Sequence, residues 1–263
     1  MSAPIANTYR FFVDPAVIAY DAVELTDPDL VRQIVKVLRL GRGDRILLLD
    51  GCGTGCTVEL QQLTRERVAG RVVERQSAGG ESVLQLTLFI ALIRSERFEW
   101  VLQKGTELGV TRFVPVQFAR SQAGDQPGSQ KLVRWQRIIR EAAEQSCRGR
   151  LPTLDDVQPF TAACQQAATA SLALLLWEGQ VQPDQRATPT MRHVVRHWRE
   201  QAILSVATPI ALMSGPEGGI TSKELTSATG HGMILVSFGP RILRAETAPI
   251  AASAALFYEW DQV

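Results

Sequence analysis

Apolar positions follow two different rhythms along the 263 residues. Up to residue 75 they come in short runs. Arg45–Asp50 is an apolar strand, Thr57–Leu63 alternates with a period of two, and Val68–Val73 supplies another strand after a polar turn. Short strands joined by Gly-containing turns predict a small barrel. Ahead of them, Pro28–Leu40 places Leu30, Ile34, Val37 and Leu38 on one helical face and is expected to stop near Gly41. Gln76–Ser82 reads Gln-Ser-Ala-Gly-Gly-Glu-Ser, the composition of a linker.

Beyond the linker, strands alternate with helices. Leu84–Leu92 is a strand, and Ser95 is expected to cap a helix that turns Phe98, Val101, Leu102 and Leu108 inward and ends at Gly109. Phe113–Phe118 is the next strand. Leu132–Ser146 is a helix with Leu132, Trp135, Ile138, Ile139 and Ala142 inward and Lys131, Arg134, Arg137 and Arg140 mostly on its other faces. Leu172–Trp177, Ile210–Met213 and Met233–Val236 are further buried strands, and Glu246–Trp260 is a closing apolar helix. This alternation predicts an α/β domain built on a mostly parallel sheet covered on both faces. Two domains are expected, over residues 1–76 and 83–263.

Two segments in the second domain share one layout. Leu212-Met213-Ser214-Gly215-Pro216-Glu217-Gly218-Gly219 and Ser237-Phe238-Gly239-Pro240-Arg241-Ile242-Leu243-Arg244-Ala245-Glu246-Thr247 each run from an apolar strand through a Gly/Pro-rich loop to a helix start. Ligands of open α/β sheets bind beyond the carboxyl ends of strands, where glycine lets backbone groups approach them. The two loops are therefore expected to form two walls of one cofactor pocket. Tight turns with no ligand are the plainer alternative.

Composition narrows the class. Hydrophobic residues make up 45% and charged residues 21%, as in an ordinary water-soluble globular protein. No apolar run reaches the roughly 18 residues needed to cross a bilayer, and no signal pattern opens the chain, so a cytoplasmic protein is expected. Cys52, Cys56, Cys147 and Cys164 form no zinc set, and no metal is expected. Net charge is only +1, yet residues 94–150 hold 11 Lys/Arg against 6 Asp/Glu. Such a segment can engage phosphates locally, or can be a solvated, ion-paired surface.

One tempting motif lacks its context. Ile46–Leu49 followed by Asp50-Gly51-Cys52-Gly53-Thr54-Gly55 imitates the glycine loop of a Rossmann-type methyltransferase or dinucleotide enzyme. That loop must open a helix at once. Here Cys56-Thr57-Val58-Glu59-Leu60 continues as a strand, so a hairpin turn is expected.

The two loops, with Arg10-Phe11-Phe12, Val37-Leu38-Arg39-Leu40, Ser95-Glu96-Arg97-Phe98-Glu99-Trp100, Glu107-Leu108-Gly109-Val110 and Glu141–Ser146, resemble the RsmE family of bacterial 16S ribosomal RNA (uracil-N3) methyltransferases. Gly-Pro-Glu-Gly-Gly followed by Ile-Leu-Arg-Ala-Glu-Thr is a specific combination, and the likeness runs nearly end to end. It implies an α/β knotted (SPOUT, trefoil-knot) methyltransferase domain with an N-terminal PUA-like β-barrel. It also implies S-adenosylmethionine as cofactor, 16S rRNA in the small ribosomal subunit as substrate, and a homodimer. Gln33 stands where the family usually has His, and Ser95 where it usually has Gly.

On that resemblance, Leu212, Met213, Gly215, Pro216, Glu217, Gly218, Gly219, Ser237, Phe238, Gly239, Ile242 and Leu243 are the candidate cofactor residues. N3 of uracil must lose its proton, and the charge that develops on the flanking carbonyl oxygens calls for a nearby cation. Arg244 is the candidate for that role, or else a phosphate clamp or the ion partner of Glu246. Glu246 is the candidate to orient that arginine or accept the proton, or else it serves the last helix as a cap. Arg10, Arg39, Arg94, Arg120, Arg148 and Arg150 are candidate RNA contacts, most of them to phosphate. Two rivals remain: a Rossmann-type methyltransferase using Gly51–Gly55, and a non-catalytic rRNA-binding or ribosome-assembly protein.

Overall fold

The computed structural model describes residues 9–121, 126–177, 179, 188–201 and 208–260. The chain divides into two compact units. One comprises the residues up to Glu81 together with Ala143–Leu151, and the other Ser82–Ala142 with the residues from Pro152 onward.

The first unit contains β1 (Arg10–Phe12), β2 (Ala22–Leu25), α1 (Pro28–Arg32), β3 (Arg45–Leu49), β4 (Thr54–Leu63) and β5 (Val68–Ser77). Its five strands lie in the order β1-β3-β4-β5-β2, with β1 parallel to β3 and the other pairs antiparallel. Alternate side chains of a strand point to opposite faces, and β3 is apolar from Ile46 to Leu49 because both of its faces are covered there. Ile46 and Leu48 join Phe11, Ile34 and Val58 in one cluster, and Leu47 and Leu49 join Phe12 and Ala143 in another.

The predicted 28–40 helix is shorter and less regular than its periodicity implies. Asp27 caps α1 by accepting from the Asp29 and Leu30 amides, but the helix passes into a π-helical turn over Gln33–Val37. The wider turn spoils the 3.6-residue phase, so Ile34 is buried while Val37 is 67% exposed. The chain then leaves through Arg39 at φ 55°, ahead of Gly41.

The Gly51–Gly55 motif is a strand-to-strand turn. The Asp50 carboxylate accepts from the Cys52 amide at 2.7 Å and the Thr54 amide at 2.9 Å, and the chain enters β4 directly. Partial burial opposes ionisation of Asp50, but hydrogen bonds from Thr54, Cys52 and Gly53 outweigh it and hold the carboxyl below its usual value. No helix follows, so the crossover that a Rossmann site needs is missing.

The expected linker is partly strand, since β5 takes in Gln76 and Ser77. Near its end Glu81 accepts from Arg148 Nη2 at 2.6 Å and Nε at 3.3 Å, and from the Gly149 and Arg150 amides at 3.0 and 2.9 Å. This clasp fastens residues 148–150 within the first unit.

The second unit contains β6 (Leu84–Ala91), α2 (Ser95–Leu108), β7 (Arg112–Gln117), α3 (Ser129–Gln145, whose last turn belongs to the first unit), β8 (Thr153–Leu154), β9 (Gln158–Pro159), α4 (Phe160–Ala167), β10 (Leu172–Leu176), α5 (Met191–Gln201), β11 (Thr208–Ser214), α6 (Ser222–Gly230), β12 (Ile234–Val236) and α7 (Thr247–Trp260). The strand order is β12-β10-β11-β6-β7-β8, with β9 also on β7, and every pairing is parallel. Leu84, Leu86, Leu88, Phe89 and Ile90 of β6 are fully buried. The mostly parallel α/β sheet expected from the sequence is present.

Arg94, rather than Ser95, occupies the cap position of α2, with no side-chain cap bond; the Ser95 hydroxyl bonds Glu99 instead. Gly109 ends the helix at φ 115°, where an added Cβ would also meet the Phe257 ring at 3.0 Å, so glycine is required on both counts. Phe98 of α2 stacks on Trp135 of α3 with ring centroids 4.2 Å apart. Register decides where a site can form. Leu176 lies opposite both Ser214 and Val236, so β10, β11 and β12 finish side by side.

Candidate functional site

A cavity of about 460 Å³ opens at those aligned strand ends. Leu176 and Trp177 line it from β10, Ser214 through Glu217 with Gly219 and Ile220 from the first loop, and Phe238, Gly239 and Arg241 through Ala245 from the second. Arg97 and Ala248 complete the wall. The volume falls within the range of about 300–1,000 Å³ usual for small-molecule sites.

The glycines of the first loop do separate jobs. A Cβ on Gly215 would meet Ile220 Cγ1 at 2.6 Å, and one on Gly218 would meet Arg120 Cβ at 3.0 Å. Arg120 holds that loop from outside, its Nη1 donating to the Gly218 carbonyl at 2.8 Å. Gly219 turns at φ 77°, and its amide bonds the Pro216 carbonyl at 2.9 Å.

Nine residues predicted for the site therefore line one cavity: Gly215, Pro216, Glu217, Gly219, Phe238, Gly239, Ile242, Leu243 and Arg244. Others lie elsewhere. Leu212 and Met213 are wholly buried in β11, serving the core behind the loop. Gly218 faces Arg120. Ser237 spends its backbone on the segment leading into α5, donating to the Pro189 carbonyl and accepting from the Met191 amide, both at 2.9 Å.

Glu246 is 4% exposed, and its Oε2 has no hydrogen-bond partner among the described residues. Its nearest cation is Arg97, with Nε 3.8 Å from Oε1. Arg244 is not its ion partner. The side chains of Arg241 and Arg244 are exposed and make no hydrogen bond or ion pair with a described residue. Arg97, which was not among the candidate site residues, also reaches Glu217 at 3.1 Å. Among the described residues, no three His, Cys, Asp or Glu side chains are grouped to hold a metal, and no helix is long and apolar enough to cross a membrane.

The expected RNA contacts fall in both units. Arg10, Arg39, Arg148 and Arg150 belong to the first, and Arg94 and Arg120 to the second. Arg39, Arg94, Arg120 and Arg150 are exposed, and Arg10 is half-buried, donating to the Cys147 carbonyl at 3.3 Å. Arg148 corrects its expectation: it is 2% exposed and committed to Glu81. Lys104 and Glu107 form the surface ion pair their spacing suggests, at 2.8 Å.

The model of the RNA methyltransferase domain family matches residues 80–257. Ribosomal RNA small subunit methyltransferase E of Bacillus subtilis is 32% identical, covering 88% of each chain. That of Synechocystis is 35% identical over 97% of this chain and 79% of its own. The solved enzyme of the same name from Neisseria gonorrhoeae, bound to S-adenosyl methionine, matches with a TM-score of 0.81 at 30% identity, covering 97% of this chain and 98% of that one. The chain belongs to the ribosomal RNA small subunit methyltransferase E family.

Proposed function

We propose that this protein methylates N3 of a uridine in 16S rRNA of the small ribosomal subunit, using S-adenosylmethionine. The observation that carries the reading is the single cavity walled by two glycine-rich loops at adjacent parallel strand ends, in a chain of this family. The cavity suits the cofactor. Gly215, Gly219 and Gly239 leave backbone groups accessible, Leu176, Trp177, Phe238 and Leu243 offer apolar surface for an adenine ring, and Glu217 supplies negative charge on the wall.

When bound, the cofactor supplies an activated methyl carbon on a cationic sulfur, which becomes a neutral thioether as N3 takes the methyl group. This chain's residues handle the rest of the balance. Glu246 accepts the imino proton of N3. Its buried carboxylate, with one oxygen left unpartnered, presents a free acceptor for that proton. Arg244, facing the cavity without an acidic partner among the described residues, offsets the charge growing on the flanking carbonyl oxygens.

The remaining assignments rest on the same reading. Residues 1–76, which the 143–151 segment joins in the first unit, belong to a PUA-like RNA-binding barrel, and the remainder of 83–263 to a trefoil-knotted SPOUT domain. Arg10, Arg39, Arg94, Arg120 and Arg150 hold phosphates. The protein works in the cytoplasm as a homodimer. In support of pairing, a groove of about 440 Å³ lies between Met191, Val195, Phe238, Ala255, Leu256 and Tyr258, and Tyr258 is 70% exposed.

The test incubates the protein and labelled S-adenosylmethionine with small subunits, and with naked rRNA, from cells lacking the gene, then identifies the labelled nucleoside. N3-methyluridine at one site is expected. A different methylated nucleoside overturns the uracil assignment, and no label on either substrate leaves the non-catalytic rival standing.

A further inference from the structure

Arg97 sits in the first turn of α2 and belongs to neither glycine-rich loop, yet its guanidinium reaches a carboxylate beside each. Nη1 lies 3.1 Å from Glu217 in the first loop, and Nε lies 3.8 Å from Glu246, which ends the second loop and precedes α7. Two different nitrogens serve two different carboxylates. Those partners lie 120 and 149 residues further along the chain.

We infer that Arg97 is a positioning residue that clamps the two cofactor loops together and holds the Glu246 carboxylate in place for its part in the reaction. The inference rests on the methyltransferase reading above. The two contacts differ in kind. Arg97 and Glu217 are each about one-third exposed, as in an ordinary surface pair, whereas the Glu246 side chain is only 6% exposed. A carboxylate buried that deeply, with one oxygen unpartnered, has little else to fix its orientation than the cation beside it. Among the described residues, Arg97 is the only cation within ion-pair distance of it. The fork shape is part of the device. Arginine presents separate nitrogens in a fixed plane, one to each carboxylate, whereas a lysine offers a single point charge that cannot reproduce both contacts from two separated nitrogens.

The test compares Arg97→Gln, Arg97→Lys, Glu217→Gln, Glu246→Gln and the double variants that combine Arg97→Gln with each glutamate change, after thermal melts establish that each folds. Two quantities are read: the S-adenosylmethionine dissociation constant by calorimetry, and single-turnover methyl transfer at saturating cofactor. Arg97→Gln is expected to weaken cofactor binding about tenfold through the loosened first loop, the loss of one charge-assisted bond. It is expected to slow transfer about 100-fold, as misplacement of a reacting group by about an ångström does.

Arg97→Lys restores binding to within about threefold but leaves transfer at least about tenfold slow, because the single nitrogen serves only one partner. In the Glu246→Gln background, Arg97→Gln costs less than about threefold more in transfer, the non-additivity expected of groups acting as one unit. Multiplying losses would overturn the inference, and so would full recovery of transfer by lysine. If the wild-type protein binds cofactor but transfers no methyl group to rRNA, the enzymatic reading fails. The Arg97–Glu217 cycle in cofactor affinity then still decides whether the clamp exists: coupling supports it, and additivity removes it.

Discussion

Replacing Glu81 by alanine should destabilise the protein by about 3 kcal/mol, although Glu81 lies in no motif. Its carboxylate takes two bonds from Arg148, at 2.6 and 3.3 Å, and one each from the Gly149 and Arg150 amides. The Arg148 side chain is 3% exposed and that of Glu81 is 20% exposed. Removing one partner of a buried ion pair costs about 3–5 kcal/mol, because the other charge is left desolvated. The lower end applies here, since water already reaches one-fifth of Glu81 and Arg148 has further interactions. Glu81→Gln keeps one acceptor oxygen and should cost about 1–2 kcal/mol, the difference between charged and neutral bonding.

The assay is urea denaturation followed by far-UV circular dichroism. With a slope of about 1–3 kcal/mol per molar urea, Glu81→Ala moves the midpoint down by about 1–3 M. The double variant Glu81→Leu/Arg148→Met should recover most of the loss, because an apolar pair leaves no stranded charge. A Glu81→Ala midpoint within about 0.5 kcal/mol of wild type, the range of ordinary surface changes, would refute the reasoning. So would an Arg148→Met protein of normal stability that had lost only its affinity for rRNA.

Arg244→Ala should slow methyl transfer about 100–1,000-fold while leaving cofactor affinity within about threefold, and a loss below about tenfold in single-turnover assays would remove it from an electrostatic role. Burial pushes the Cys164 thiol up to about 11, with Glu224 adding to the shift, so its reactive thiolate is scarce at pH 8 and grows only as the pH approaches that value. Alkylation of the native protein at pH 8 followed by peptide mass spectrometry should mark the exposed Cys52 and Cys147 and spare the buried Cys56 and Cys164; early label on Cys164 would contradict this. Gly70→Ala should cost about 1–3 kcal/mol in the same urea assay, the usual range for overpacking, because the new Cβ would meet Val58 Cγ1 at 2.5 Å and the Glu59 carbonyl oxygen at 2.7 Å. An unchanged midpoint would mean that β4 and β5 yield more readily than their bulged pairing implies.

The features legible in the sequence were local ones. An apolar run followed by Gly-Pro-Glu-Gly-Gly carries its strand, turn and ligand-facing backbone within eight residues, so the two loops and most of the cavity wall were legible. Leu212 and Met213, read with the same loop, have side chains buried in β11 that do not line the cavity, because a strand buried on both faces gives no cue as to where core ends and cavity begins. Leu176 and Trp177 were legible as the end of a strand but not as part of the site, since only the parallel register brings them beside Ser214 and Val236. Arg97 was legible as part of a family-like segment but not as part of the site, its partners being more than a hundred residues away. Arg148 failed for the opposite reason. It sits among surface arginines that look alike in sequence, and its carboxylate partner precedes it by 67 residues. Val37 was lost to a single wide turn, which changed its phase without any glycine or proline to announce the change.

The return of Ala143–Leu151 to the first unit has a consequence for the order of synthesis. Phe12, Leu47 and Leu49 complete their cluster against Ala143, with Leu151 packed alongside, and Glu81 finds its cation only at Arg148. About 70 residues separate Glu81 from Leu151, and at about 5–20 residues per second their translation takes roughly 4–14 s. Throughout that interval the nascent first unit has one sheet face uncovered and a carboxylate without its partner. It cannot finish folding before the 143–151 segment emerges, whereas a domain formed from one continuous stretch would fold as soon as that stretch was made. A fragment stopped at residue 81 would carry the same open face indefinitely, so any attempt to isolate this unit must bring the 143–151 segment with it.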